Sequence, residues 1–363
     1  MTRARLRDLG ISVGLLPTGE WNAITDVPGV KVGHTTLIEG SGPHVPGQGP
    51  IRTGVTAILP HGGNQYTHRV PAAIHVLNGA GEMTARSQVE EWGTLVTPIY
   101  LTSTHNVGLV YDAAVEYALR ETPAIVRRSG FVIPVVAECN DGGLNDSYGR
   151  HVKKEHVFAA LERAASGPVD EGNVGAGTGM VSYQYKGGIG TASRRVEGSE
   201  GYIVGALVLA NHGAREHLSV GGVPVGRLSA VPYPSWRPPR PPEREGSIIM
   251  VVGTNAPLLP SQLHRLAVRA TLGLARTGTV SGHGSGDIAI AFSVGNIVET
   301  DTSEPLDTWR AVRDGGMDRI FAATVEATEE SVLNALTAAE TLEGRDGRVA
   351  HAISLDELRS FCT

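Results

Sequence analysis

Apolar residues in this chain come in short runs separated by turn residues, and the runs divide between the two periods that distinguish strand from helix. Gly54–Leu59, Ala72–Leu77, Thr94–Leu101, Phe131–Ala137, Val181–Tyr185, Tyr202–Ala210 and Asp287–Val294 are compact apolar runs of strand length. Val107–Arg120 sets Val110, Ala114 and Ala118 on one stripe, which predicts an amphipathic helix. Ser261–Thr277 reads the same way, and Met83–Glu91, His156–Ala165 and Glu326–Thr341 also read as helices. The rest of residues 1–60 reads as turns and short strands, with Asp26-Val27-Pro28-Gly29-Val30 a turn signal. Asn78-Gly79 ends one strand, and Asn140–Asp146 is a polar turn. Strands mixed with helices predict a layered α/β protein whose sheets are buried by helices. No internal repeat is visible.

One stretch breaks this pattern. Residues 231–246, VPYPSWRPPRPPEREG, contain seven Pro or Gly in sixteen positions. Proline lacks the N–H that a helix or a central strand needs, so the stretch should run over the surface as an extended linker. It stops at Gly246, and Ser247 opens SIIMVVGT, a β-rich run that should be a core strand. A domain linker followed by a strand start is one explanation. The other is self-cleavage, in which a hydroxyl attacks the carbonyl just before it and water completes the break. Glycine on the upstream side tolerates the strained backbone such an attack needs. The freed Ser247 would carry a hydroxyl and an α-amine, whose ordinary pKa of about 7.7–8.0 suits a general base. Pattern alone leaves both explanations open.

Composition narrows the function classes. The 363 residues suffice for one large domain or two modest ones. Hydrophobic residues make up 41% and charged residues 19%, as in ordinary globular proteins. A net charge of -6 argues against a broad nucleic-acid surface. Two cysteines, Cys139 and Cys362, are too few for a disulfide framework or a Cys-based metal site. Aromatics are 5% against 47 Gly, which predicts many tight turns. No apolar run is long enough to cross a membrane, and Ile11–Leu16 is too short for a signal-peptide core, so a cytoplasmic protein is expected. GNVGAGTGM lacks the Gly-Lys-Ser/Thr ending of a phosphate loop, and the 13 histidines show no H-E-x-x-H spacing. The expectation is therefore no cofactor and no catalytic metal.

Several segments in order carry a resemblance: ITDVPGVKVGHTT (Ile24–Thr36), RTGVTAILP (Arg52–Pro60), NVGAGTGM (Asn173–Met180), LVLANHG (Leu207–Gly213), EGS (Glu245–Ser247) and SGHGSGDIAIAFS (Ser281–Ser293). On these the chain resembles the L-aminopeptidase/D-esterase and β-peptidyl aminopeptidase family of N-terminal-nucleophile hydrolases. The resemblance implies a four-layer αββα sandwich related to ornithine acetyltransferase. It also implies autoprocessing of a single domain into α and β chains, here 1–246 and 247–363. The second would be 363 − 246 = 117 residues long. The two chains would stay associated and assemble as a homo-oligomer of αβ units. Small peptides, amides or esters would be the substrates, with no nucleic acid or membrane partner.

Carried onto this sequence, Ser247 matches the nucleophile and Gly246-Ser247 the cleavage site. Ser285 would relay a hydrogen bond to Ser247, and Asp287 would hold its ammonium form. Asp287 stands where the family has Glu, one methylene longer. Asn211 would stabilise the oxyanion. Glu138 would bind the substrate's free amine, and Asn140 falls where an aromatic, usually Tyr, is expected. Gly175 and Gly177 would line the substrate pocket. An ornithine-acetyltransferase-like acyltransferase or a nylon-oligomer hydrolase would share the fold but use Thr as nucleophile. An uncleaved binding relative is the non-enzymatic alternative.

Overall fold

A computed structural model describes residues 3–128, 130–196, 201–236, 246–300 and 302–362. The strands that carry the architecture are β1 (Lys31–Glu39), β2 (Ile51–Leu59), β3 (His68–Gly79), β4 (Ile99–Ser103), β5 (Val135–Cys139), β6 (Gly188–Val196), β7 (Tyr202–Asn211), β8 (Ser247–Thr254) and β9 (Gly286–Ser293). The principal helices are α1 (Val107–Glu121), α2 (Lys154–Glu162), α3 (Pro260–Arg276) and α4 (Met317–Thr337).

Two sheets form. The first has the order β1-β2-β4-β5, and the second β3-β9-β8-β7-β6, with Val298–Glu299 outside β3. Each contains one parallel pair, β4 with β5 and β8 with β9; the other neighbours are antiparallel. A parallel pair needs a crossover, and α1 and α3 supply it.

Burial along β8 shows how the layers stack. Ile248, Met250 and Val252 pack with Leu263, Leu266 and Ala270 of α3 and Leu333 and Leu336 of α4. Their neighbours Ile249 and Val251 face the other way, against Ile58, Leu101, Ala137 and Cys139 of the first sheet. The outer face of that sheet, with Val55, Ala57, Tyr100 and Val136, is covered by Val110 and Ala114 of α1 and Val157 and Ala160 of α2. The layers are therefore helices, sheet, sheet, helices, the αββα sandwich expected. A strand buried on both faces reads as a continuous apolar run, which is why SIIMVV does not alternate.

Several boundaries differ from expectation for local reasons. The strand expected over Thr94–Leu101 divides at Pro98: Thr94–Leu95 pairs with β3, and β4 begins at Ile99 in the other sheet. Pairing of the strand expected over Phe131–Ala137 starts only at Val135, after Pro134. Val181–Tyr185 is a tight hairpin rather than a strand, with Tyr183 and Gln184 at φ of 49° and 58° between Val181–Ser182 and Tyr185–Lys186. The last long helix begins at Met317 rather than Glu326 and ends at Thr337. The helix expected from Met83 starts at Arg86. The β1 and β6 strands were not anticipated as such.

Two histidines sit inside this framework. His34 on β1 shares a hydrogen bond of 2.9 Å with the Thr56 hydroxyl on β2, and burial pushes its pKa down to about 4. His212, just after β7, is fully buried against the Tyr183 ring, and burial pushes it down to about 3. In the unfolded chain both titrate near the ordinary value of about 6.5. Below that pH the unfolded state takes up protons that the folded state refuses, so stability should fall steadily from about pH 6.5 towards pH 4. Urea unfolding across this range should show a falling midpoint, and His212→Leu should flatten the fall. A wild-type midpoint independent of pH there would contradict it.

Candidate active site

The second sheet brings its strand ends to one place. β7 ends at Asn211, which pairs with Ser247, the first residue of antiparallel β8. β9 runs parallel to β8 and starts beside it, so Asp287 pairs with Ile248. On the far side of β9, Gly286 pairs with Gly79 and Asp287 with Asn78, followed by a bulge before Ile288. Ser247, Asn211, Ser285 and Asp287 are therefore neighbours because of sheet topology, and all four are buried.

Their polar atoms interlock. The Gly286 N–H donates to Ser247 Oγ at 3.1 Å. Ser285 Oγ lies 2.5 Å from Asp287 Oδ1 and also hydrogen-bonds the Gly246 carbonyl oxygen. A hydroxyl has one proton, so Ser285 can donate either to the carboxylate or to the carbonyl that precedes Ser247. Asn211 Oδ1 accepts the Val181 N–H at 2.9 Å, and its Nδ2 donates to the Asn140 carbonyl at 3.0 Å. Gly246 is pressed against this group. A Cβ there would collide with the Asn211 carbonyl oxygen and lie 3.2 Å from Asn211 Nδ2, so only glycine fits.

The first sheet contributes Glu138, at the end of β5. Its Oε1 accepts the Glu82 N–H at 3.0 Å, and its Oε2 accepts the Thr104 hydroxyl. Burial pushes the Glu138 carboxyl above the usual carboxylate range against these two donors. Gly81 lies between this group and the start of β9: a Cβ on it would be 3.1 Å from Gly286 Cα and 3.3 Å from Glu138 Oε1.

Not every expected residue converges. The Asn140 side chain is exposed and accepts the Gly142 N–H at 2.9 Å in a local turn, so its contribution to the site is its main-chain carbonyl. Gly175 and Gly177 are packing positions. Gly175 donates to the Thr36 hydroxyl at 2.8 Å, and a Cβ on it would strike Thr56 and His34 of the first sheet. A Cβ on Gly177 would lie 2.5 Å from the Ile189 nitrogen. The glycine-rich segment meets the site at its other end, through Val181. Residues 237–245 of the linker lie outside the described residues, whereas Gly246 and Ser247 lie within them.

Sequence reasoning missed the floor of the site. Asn78 Nδ2 donates to the Ser281 and Gly282 carbonyls at 2.5 and 2.9 Å, and the Ala80 N–H donates to the Ser285 carbonyl at 3.2 Å. Asn78-Gly79 was visible only as a strand end. Thr104 was missed too, since nothing local links it to a glutamate 34 positions away. Among the described residues, no cluster of three or more His, Cys, Asp or Glu could hold a metal ion. No described helix is long and apolar enough to cross a membrane.

Residues 22–350 match the model of peptidase family S58. The chain belongs to peptidase family S58. The β-peptidyl aminopeptidase BapA of Sphingosinicella xenopeptidilytica is 43% identical over 98% of this chain and 90% of that protein. A β-aminopeptidase from Burkholderia sp. superposes with a TM-score of 0.90 at 44% identity, covering 99% of both chains. The L-aminopeptidase D-Ala-esterase/amidase of Ochrobactrum anthropi, described as a prototype for the serine aminopeptidases with a variant of the Ntn hydrolase fold, gives a TM-score of 0.90 at 42% identity. It covers 98% of this chain and 97% of its own. Like these S58 relatives, the chain is a hydrolase of the aminopeptidase class on an N-terminal-nucleophile fold.

Proposed function

We propose that this S58 chain matures by cutting itself between Gly246 and Ser247 and then removes N-terminal residues from small peptides, amides or esters through an acyl-enzyme on Ser247. The observation that carries the reading is the Ser285 hydroxyl on the Gly246 carbonyl, with the Gly286 N–H on Ser247 Oγ. The bond to be cut is thus held next to the hydroxyl that would cut it.

In the first reaction Ser247 Oγ bonds to the Gly246 carbonyl carbon, and Ser285 and Asn211 face the oxyanion that forms. The C–N bond then breaks, and the nitrogen takes up the proton given up by Ser247 Oγ, becoming the new α-amine. Water hydrolyses the ester, leaving a carboxylate on Gly246 and a free hydroxyl on Ser247. The products would be 1–246 and 247–363. They should stay together because β8 lies between β7 and β9, with both faces buried.

In turnover the α-amine takes the Ser247 proton as Oγ attacks the substrate carbonyl, and returns it to the leaving group. Asn211 Nδ2 stabilises the oxyanion, and Asp287 holds the ammonium. Glu138 receives the substrate's free amine. The relatives named for β-peptidyl substrates favour β-amino acids at that end, and the L-aminopeptidase D-Ala-esterase/amidase relative leaves α- and D-residues within range.

Ser247→Ala should leave one chain near 38.1 kDa on a denaturing gel, where the wild type gives two fragments, the smaller beginning Ser-Ile-Ile-Met. A wild type that stays intact sinks the reading.

Glu138→Gln should raise KM for free-amine substrates about tenfold or more, as expected for a lost charge-assisted contact. Because burial raises the Glu138 pKa, amine binding should tighten as pH rises through it, and the variant should lose that dependence. Equal cleavage of N-acetylated substrates by the wild type would remove the role.

Asp287→Asn should move the rising limb of kcat/KM to lower pH. A nearby carboxylate favours the ammonium and raises the amine's pKa, so its removal lowers it. Rate should fall as well, because the ammonium formed in attack loses its partner. An unchanged limb at undiminished rate takes Asp287 out of the mechanism.

A further inference from the structure

Lys186 is fully buried, a costly place for a cation. Its Nζ donates to three carbonyl oxygens, those of Gly177 at 3.1 Å, Met180 at 2.8 Å and Gly187 at 2.7 Å. All three ammonium protons are thereby used. No carboxylate charge acts on it among the described residues, and burial alone pulls its pKa down to about 7. Filling space would be done at lower cost by a methionine of similar length. The cation is therefore worth explaining by what its acceptors do.

The Met180 carbonyl and the Val181 N–H belong to one peptide unit. In a trans peptide they point in opposite directions. Lys186 Nζ holds the carbonyl end, with help from the Gly187 N–H at 3.0 Å. The other end, the Val181 N–H, meets Asn211 Oδ1 at 2.9 Å. That contact decides which way the Asn211 amide faces. Were the amide flipped, two donors would confront each other at Val181, so Nδ2 is directed to the Asn140 carbonyl and the Gly246 side. The hairpin also pairs Val181 directly with Lys186, which fixes the reach of the lysine.

We propose that Lys186 is a positioning residue for the oxyanion donor: by gripping the Met180–Val181 peptide unit it sets the orientation of the Asn211 amide. The inference rests on the proposed role of Asn211. Lys186 itself touches neither nucleophile nor substrate.

A double-mutant cycle on the full-length chain tests it. The variants are Lys186→Met, Asn211→Ala and the two combined, with Lys186→Arg as the conservative replacement that keeps donors on the hairpin. Self-cleavage is followed by gel after in vitro translation, and kcat and KM are measured per cleaved chain. Loss of an oxyanion donor costs about 10²–10³ in rate, so Asn211→Ala should lose that much. Lys186→Met should slow both reactions about tenfold or more with KM within about twofold, and Lys186→Arg should recover part of the rate. Combined with Asn211→Ala, Lys186→Met should add less than about threefold, since its route of action is already gone.

If Lys186→Met costs as much in the Asn211→Ala background as alone, Lys186 acts elsewhere and the inference is overturned. Lys186→Met at wild-type rate overturns it as well. If Lys186→Met does not fold, Lys186→Arg carries the cycle: additive losses with Asn211→Ala, or none, overturn it. If Asn211→Ala alone is harmless, the oxyanion role fails and this inference with it. An intact wild-type chain signals the separate failure of self-cleavage.

Discussion

The parallel pairing of β8 with β9 is the constraint on which the site depends. Parallel neighbours start at the same edge of a sheet, so the first residues of the two strands, Ser247 and Gly286-Asp287, are brought together although α3 separates them in sequence. Antiparallel neighbours meet that edge with their ends, which is how Asn211 of β7 and Asn78-Gly79 of β3 arrive there. Four segments from distant parts of the chain are thus brought into register by backbone hydrogen bonds. A slip of one residue in β8 would turn Ile248, Met250 and Val252 away from α3 and α4, so core packing enforces the register that aligns the chemistry.

Layering does the remaining work. The second sheet brings Ser247, Gly286-Asp287 and Asn211 to one edge; the first supplies Glu138 from the end of β5. The sheets approach closely between the two groups because Gly81 and Gly286 carry no side chains there. Under the proposed roles this separates reaction from recognition, since Glu138 and Ser247 belong to different layers. The outer helix α4 is fastened by charge as well as by apolar contact. Arg194 on β6 is fully buried and donates to Glu326 at 3.0 Å and Glu330 at 2.6 Å, and Arg7 shares Glu330. Breaking one partner of such a group leaves a buried charge unpaired, at a cost of about 3–5 kcal/mol.

How much of this could be read from the residues varied with how local the signal was. The SIIMVV run, the Ser261–Thr277 helix and the abrupt end of the proline-rich stretch at Gly246 were legible, since each is written in consecutive residues. The αββα layering came from resemblance, because apolar runs do not say which sheet a strand joins. Thr94–Leu101 shows why: one apolar run serves both sheets, divided at Pro98. Gly175 and Gly177, expected as a tight segment lining the substrate pocket, sit in close backbone packing, a need that shares its sequence signature with a ligand loop. Thr104, Val181 and Lys186 left no signal, since their roles exist only through partners supplied by the fold.

Asn140, where the resemblance implied an aromatic, can be understood in the same terms. Its side chain closes a turn on the Gly142 N–H, and this fixes the direction of the backbone that follows Cys139. The Asn140 carbonyl is thereby held where Asn211 Nδ2 can reach it. The neighbouring segment is anchored independently: Trp236 packs with Leu144 and Val181, and Arg215 lies between the Tyr185 and Tyr233 rings, 4.0 Å from each centroid. Arg215 also donates to the Val231 and Pro232 carbonyls. The chain is therefore gripped along the first part of the linker, Val231 to Trp236, and again at Gly246. Val181 takes part in both, packing against Trp236 and donating its N–H to Asn211 Oδ1, so the anchoring of the linker and the proposed alignment of the Asn211 amide are properties of one short hairpin.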